Sequence, residues 1–154
     1  MSFLHAALAI AHALSSAAWF GSMFYSLTVM QPRAKRFFAT DAEFEEFVAT
    51  VAQGARWNVL AAFAFAAITG AGLILIARPA PMTTAWLVIV TIKCVLFAAA
   101  VAIFSYASWR LWPRRIFASP AELPGIQRRF RIVGFSLLTL AALSFALGIL
   151  PHTW

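Results

Sequence analysis

"MSFLHAALAIAHALSSAAWFGSMFYSLTVMQP", residues 1–32, runs without one Asp, Glu, Lys or Arg and yet holds two of the chain's three histidines. A stretch this long and uncharged spans a bilayer as a helix, for which about 20 apolar residues suffice. Spacings of 7, 7, 4 and 7 residues are close to whole helical turns, so His5, His12, Trp19, Met23 and Met30 fall within roughly 40° of one another. One face of the first helix therefore gathers nearly every soft or imidazole ligand that the segment owns.

The rest of the chain agrees with a membrane reading. Of its 154 residues 63% are hydrophobic and 11% charged, against about a quarter charged in a soluble domain. The net charge of +7 is not a nucleic-acid signature, because the basic residues sit beside hydrophobic segments, where they set orientation and meet lipid headgroups. A single cysteine, Cys94, excludes an intrachain disulfide and any paired-thiol metal motif. The N-terminal run lacks a positive leading region and is longer than a signal-peptide core, so it is expected to remain as the first span.

Four spans follow from the hydrophobic pattern, at about 3–30, 57–77, 84–112 and 132–150. Gln31 and Pro32 are expected to end the first, and Pro113, Pro120 and Pro124 to break the last connector into a loop. Residues 40–54 read as an amphipathic connector on the membrane surface, capped by Thr40 or Asp41, with Phe44, Phe47, Val48 and Val51 as its apolar stripe. Thr69, Gly70 and Gly72 permit close approach of a neighbouring helix. Ten of the twelve Lys and Arg residues lie in the connectors after the first and third spans. The positive-inside rule then makes both connectors cytoplasmic and both termini outward. Trp57, Trp109 and Trp112 form one interfacial belt, and Trp86 and Trp154 the other. The expected architecture is an all-α, integral membrane four-transmembrane-helix bundle, a single domain with both termini on the outer (periplasmic) side. Its expected location is the bacterial inner (plasma) membrane, as a multi-pass protein.

Chemistry centres on the outer half of that bundle. His12 is about 10 Å deeper than His5, Lys93 lies at a similar depth seven residues into the third span from Trp86, and His152 follows the fourth span. Ionisable residues inside a membrane are costly and face the bundle interior, which makes His12 and Lys93 the leading functional positions. A structural hydrogen bond from His12 to Ser15, Ser16 or another helix is the alternative, and Lys93 has the alternative of snorkelling outward. Two ligand chemistries suit the first helix. Imidazole and thioether groups favour copper, with His5, His12, Met23 and Met30 as metal ligands. A neutral His12 also suits haem iron in a four-helix bundle, with Trp19 and phenylalanines against the macrocycle. Met and aromatic stripes at this spacing also serve as plain packing. No nucleophile with a partnered base and no phosphate loop is present, and the five acids all lie in the connectors rather than the spans.

Several motifs bear a family likeness. "HALSSAAWFGSMFYSLTVMQPR" resembles the first helix of the copper resistance D (CopD) family and is similar to that of the HemJ-type protoporphyrinogen oxidases. "RWNVLAAFAFAAITGAGLIL" looks like the Arg-led second helix of CopD domains, and "WLVIVTIKCVLF" resembles the third helix of both groups, with Lys93 on their characteristic lysine. "RRFRIVGFSLL" begins like the HemJ-type fourth helix, with Ile-Val-Gly-Phe in place of Asn-Glu-x-Pro. The CopD resemblance implies copper binding or transport, with His5, His12 and the methionines as contacts. The HemJ resemblance implies a haem b-binding membrane oxidoreductase that uses His12 and Lys93. A structural subunit of a larger membrane complex, or a homo-oligomer, needs neither ligand.

Overall fold

The computed structural model describes residues 3–77 and 81–149. His152, Trp154 and Arg78 lie outside the described residues. All regular structure among the described residues is helical: α1 (Phe3–Tyr25), α2 (Gln31–Phe37), α3 (Asp41–Ala77), α4 (Thr84–Tyr106), α5 (Trp112–Ile116) and α6 (Leu123–Ile149). Four stretches are long and apolar enough to cross a membrane: Phe3–Phe37, Asp41–Ile76, Thr84–Ile116 and Leu123–Gly148. Large apolar side chains such as Leu14, Ile68, Leu75 and Val95 cover the outside, a surface that a bilayer solvates and water does not. The fold is that of a multi-pass membrane protein. Below, the end carrying Phe3 is the terminal end, and the end carrying Arg33 and Arg114 is the basic end.

The prolines act differently from expectation. Pro32 and Pro113 do not stop their helices; each is preceded by one wide π turn, Ser26–Met30 and Ala107–Leu111. A proline ring collides with the carbonyl four residues back and has no N–H to donate. In the wide turns the Gln31 and Trp112 amides reach back to Ser26 and Ala107, which moves the obstructed carbonyl aside and lets the helix continue. The amphipathic connector is likewise no separate helix, being continuous with the second span as α3. At 1.5 Å per residue α3 is roughly 55 Å long, so about half of it stands outside a hydrocarbon core of about 30 Å. Thr40 caps it, its hydroxyl accepting from the Glu43 amide at 3.3 Å while Glu43 Oε2 accepts from the Thr40 amide at 3.2 Å, the reciprocal box that satisfies two orphan donors.

That outer part of α3 is built in. Phe44 and Val48 of the stripe are buried, whereas Val51 is exposed. Beside them Glu45 takes both oxygens to Arg115, from Nε at 2.6 Å and Nη2 at 2.8 Å. Gln127 of α6 donates to the same carboxylate at 2.8 Å, and Lys35 donates to Gln127 at 3.0 Å. Arg115 is only 8% exposed and lies 5.0 Å from the centre of the Phe130 ring. Burial pushes the Glu45 carboxyl up, but the hydrogen bonds from Arg115 and Gln127 and the charges of Arg115 and Lys35 outweigh it and hold the group below its usual range. The basic end is thus clamped across α2, α3, α5 and α6 rather than solvated.

The described helices form two similarly built pairs, α1 with α3 and α4 with α6. His12, Tyr25, Pro32 and Arg33 of the first half correspond, 81 residues on, to Lys93, Tyr106, Pro113 and Arg114. Arg56 and Gly70 on α3 correspond, 78 residues on, to Gly134 and Gly148 on α6. The contacts repeat with the positions. A Cβ on Gly70 would sit 3.3 Å from His12 Cε1, and one on Gly148 would sit 3.2 Å from Lys93 Nζ. Helix α1 packs on α3 as α4 packs on α6, and α1 against α6 joins the halves. At the centre Phe63, Ala100 and Leu137 are buried, with Trp19, Met23, Phe97 and Phe104 packed around them.

The joint between the halves depends on Gly134, where an added Cβ would stand 2.7 Å from Leu27 Cδ2. Gly134→Ala is expected to cost little, because the end of a leucine side chain can rotate away. Gly134→Leu is expected to wedge α1 from α6 and cost about 1–3 kcal/mol by overpacking. Reversible unfolding in detergent measures this, and Leu27→Ala in the same chain is expected to restore most of the loss.

Candidate functional site

His12, Thr69 and Lys93 lie toward the terminal end, one layer beyond the aromatic core. His12 Nδ1 is 2.9 Å from the Thr69 hydroxyl oxygen. Thr69 is 4% exposed and its own proton goes to the Phe65 carbonyl at 2.8 Å. A hydroxyl has one proton to give, so toward His12 it accepts, and Nδ1 carries the imidazole proton. The Ala66 carbonyl is a second acceptor for that hydroxyl, at 3.3 Å. This assigns the tautomer from the hydrogen-bond network and leaves Nε2 with its lone pair free to ligate.

The sequence offers Ser15, Ser16 or another helix as the hydrogen-bond partner of this ring, and the bond goes to another helix. Ser15 instead donates to the His12 carbonyl at 3.0 Å, and the partner of the ring is on α3. The close approach expected at Thr69, Gly70 and Gly72 is what makes this possible: Gly70 lies beneath the imidazole and Gly72 beneath Leu8. A Cβ at position 70 would meet the imidazole at 3.3 Å and force it to shift by a few tenths of an ångström, so anything larger than alanine would compete with its bond to Thr69.

Lys93 occupies the mate position in the second half. It is partly buried, and its ammonium lies against Gly148. His12 and Lys93, which the sequence puts at one depth, each lie against a glycine of the helix they pack on, Gly70 on α3 and Gly148 on α6. All five Asp and Glu residues lie at 41–46 and 122, so among the described residues no acidic side chain sits in that layer to balance Lys93. An interior with cationic or neutral nitrogen groups and no acid is suited to an anionic or Lewis-acidic ligand.

The remaining sequence candidates separate. His5 is partly buried one heptad before His12, about 10 Å along the helix, too far to share an ion with it. Trp19 packs on Phe63 with ring centres 5.1 Å apart, and Met23 joins the same core cluster. Met30 closes the wide turn before Pro32. Among the described residues no group of three His, Cys, Asp or Glu side chains is placed to hold a metal ion. Two participants were missed by the sequence reading as functional groups: Thr69, which fixes the tautomer, and Gly148, which makes room for Lys93. The equivalent spacing of the two halves is the signal that would have found the second.

Set beside protein-family models, curated proteins and solved structures, the chain matches none of them.

Proposed function

We propose that this multi-pass membrane protein binds haem b through His12 Nε2, with the basic end facing the cytoplasm and the terminal end outward. The observation that carries the proposal is the hydrogen bond from His12 Nδ1 to Thr69, which presents Nε2 as an unprotonated donor inside an apolar bundle. A ligating histidine normally donates its other ring N–H to an oxygen that fixes its orientation, and Thr69 does this here. Lys93 supplies the cation that a cofactor bearing carboxylates needs, in a layer that contains no competing acid. Trp19 and Phe63 provide the apolar floor. When bound, haem would supply one-electron chemistry in the bilayer; the chain's own residues hold it, orient it and keep water away.

Copper binding or transport is supported less well by the same geometry. His5, His12, Met23 and Met30 share one helix face but are spread along it, so each position would need ligands from elsewhere to complete even a low-coordinate Cu(I) site. The orientation rests on the basic residues at one end of the bundle, by the positive-inside rule.

An absorption spectrum with metal analysis on detergent-purified protein from haem-replete cells tests the reading. A Soret band at near one haem per chain is expected in the wild type and expected to be lost or strongly shifted in His12→Ala. A colourless protein holding stoichiometric copper overturns haem in favour of the CopD-like reading. A colourless, metal-free protein that co-purifies with other membrane proteins assigns it to a structural role.

A further inference from the structure

The two joints between the halves are built differently. Where α6 meets α1, Gly134 accepts the Leu27 side chain against its backbone and the helices close. In the corresponding joint of α3 with α4, Arg56 stands in the place of Gly134 and Ser108 in the place of Leu27. A long side chain thus replaces a hydrogen atom, and these helices meet through large groups, Phe63 against Phe97 and Phe104 and Arg56 against Trp109. Toward the basic end the joint opens into a cleft of about 480 Å³, walled by Gln53, Arg56, Trp57, Trp109, Trp112 and Phe117, with no acidic residue in its lining.

Arg56 is fixed there by the wide turn before Pro113. The Trp112 amide bonds to the Ala107 carbonyl, and Pro113 has no N–H to offer the Ser108 carbonyl. Arg56 Nη2 fills that gap at 3.0 Å. One edge of the guanidinium is anchored in this way and the other N–H donors remain for a ligand. The guanidinium centre lies 5.8 Å from the Trp109 ring, which holds its plane.

We propose that this cleft binds one anionic phospholipid, with the phosphate on Arg56 and the acyl chains along the apolar sides of α3 and α4. The three tryptophans put the cleft at headgroup level, since such rings settle at the membrane interface. The guanidinium fork matches a phosphate bidentately, and basic pockets between membrane helices on the positive side take anionic headgroups. The apolar sides are there: Ile68 and Leu75 on α3 and Val88 and Val95 on α4 are exposed. A second copy of the chain is a poor occupant, because it would bring like charge to a guanidinium that has no carboxylate beside it.

The test is native mass spectrometry of the full chain released from vesicles of phosphatidylcholine with a minor share of phosphatidylglycerol. One phosphatidylglycerol per chain is expected to be retained in preference to phosphatidylcholine. Arg56→Gln is expected to lower that retention about fivefold, the loss for one basic residue at an anionic surface, and Arg56→Lys to keep most of it. Trp109→Leu, which leaves the Arg56 bond to Ser108 in place, is expected to weaken retention without loss of fold. Equal retention of the two lipids by the wild type overturns the proposal, whatever the variants do. So does an unchanged preference in a folded Arg56→Gln, or a lipid-free dimer that Arg56→Gln dissociates.

Discussion

Replacing Arg115 by Met is expected to destabilise the protein by about 3–5 kcal/mol, the loss that follows when one partner of a buried ion pair is left alone. The carboxylate of Glu45 would keep only Gln127 as a close donor, with its charge facing the Phe130 ring that Arg115 now covers. Glu45→Gln is expected to cost less, because an amide oxygen still accepts from one guanidinium N–H and no carboxylate is stranded. Exchanging both residues for Met is expected to recover most of the loss, since paired charges out of water are no more stable than well-packed apolar groups of similar size. Acid gives the same result by another route. The folded-state pKa of Glu45 lies below its unfolded value, so its contribution is complete above the unfolded value and disappears as pH falls through the folded one. Unfolding midpoints in detergent, followed from neutral to acid pH, should therefore decline for the wild type and show a smaller decline for the double variant. An Arg115→Met protein as stable as the wild type would mean that the clamp is ornamental.

The clamp also shows where reading the sequence stops. Residues 40–54 announce an amphipathic helix because Phe44, Phe47, Val48 and Val51 recur at helical spacing, and two of these are buried as expected. Nothing in that spacing says that Glu45 meets an arginine 70 residues away, because pairing between distant helices is set by topology and not by local period. The same limit applies to the prolines. A missing N–H and a ring clash are legible at Pro32 and Pro113, but the answer, a wide turn in place of a break, needs the neighbouring carbonyls. Depth, by contrast, is legible: a helix rises a fixed distance per residue, so the sequence alone puts His12 and Lys93 at one level. The ligand stripe of the first helix was a real alignment of faces with little chemical meaning for its lower half, where Trp19 and Met23 serve the core.

The two helix pairs are built alike. Each half pairs a helix that carries a nitrogen group, His12 or Lys93, with a helix that offers it a glycine, Gly70 or Gly148. The halves differ at two pairs of equivalent positions, imidazole against ammonium in the interior and Arg56 against Gly134 at the joints. The first difference puts an imidazole and an ammonium at the same depth, and the second closes one joint and opens the other.

Thr69→Val is expected to weaken haem binding by about 10- to 100-fold, the usual effect of removing the outer partner of a ligating histidine. Valine has nearly the shape of threonine, so α1 still packs on Gly70, and the group lost is the acceptor for His12 Nδ1–H. The ring then has less to hold it in the tautomer that leaves Nε2 free, and it can turn its proton either way. Thr69→Ser, which keeps an oxygen to accept from Nδ1, is expected to hold affinity within a few-fold of the wild type. A role in packing alone would make the opposite forecast, because serine leaves a methyl-sized gap and valine leaves none. Haem titration into the apo-protein, read at the Soret band beside an unfolding midpoint for each variant, separates the two. Equal affinity in wild type and Thr69→Val would end the argument from the tautomer, and with it the main support for His12 as an iron ligand.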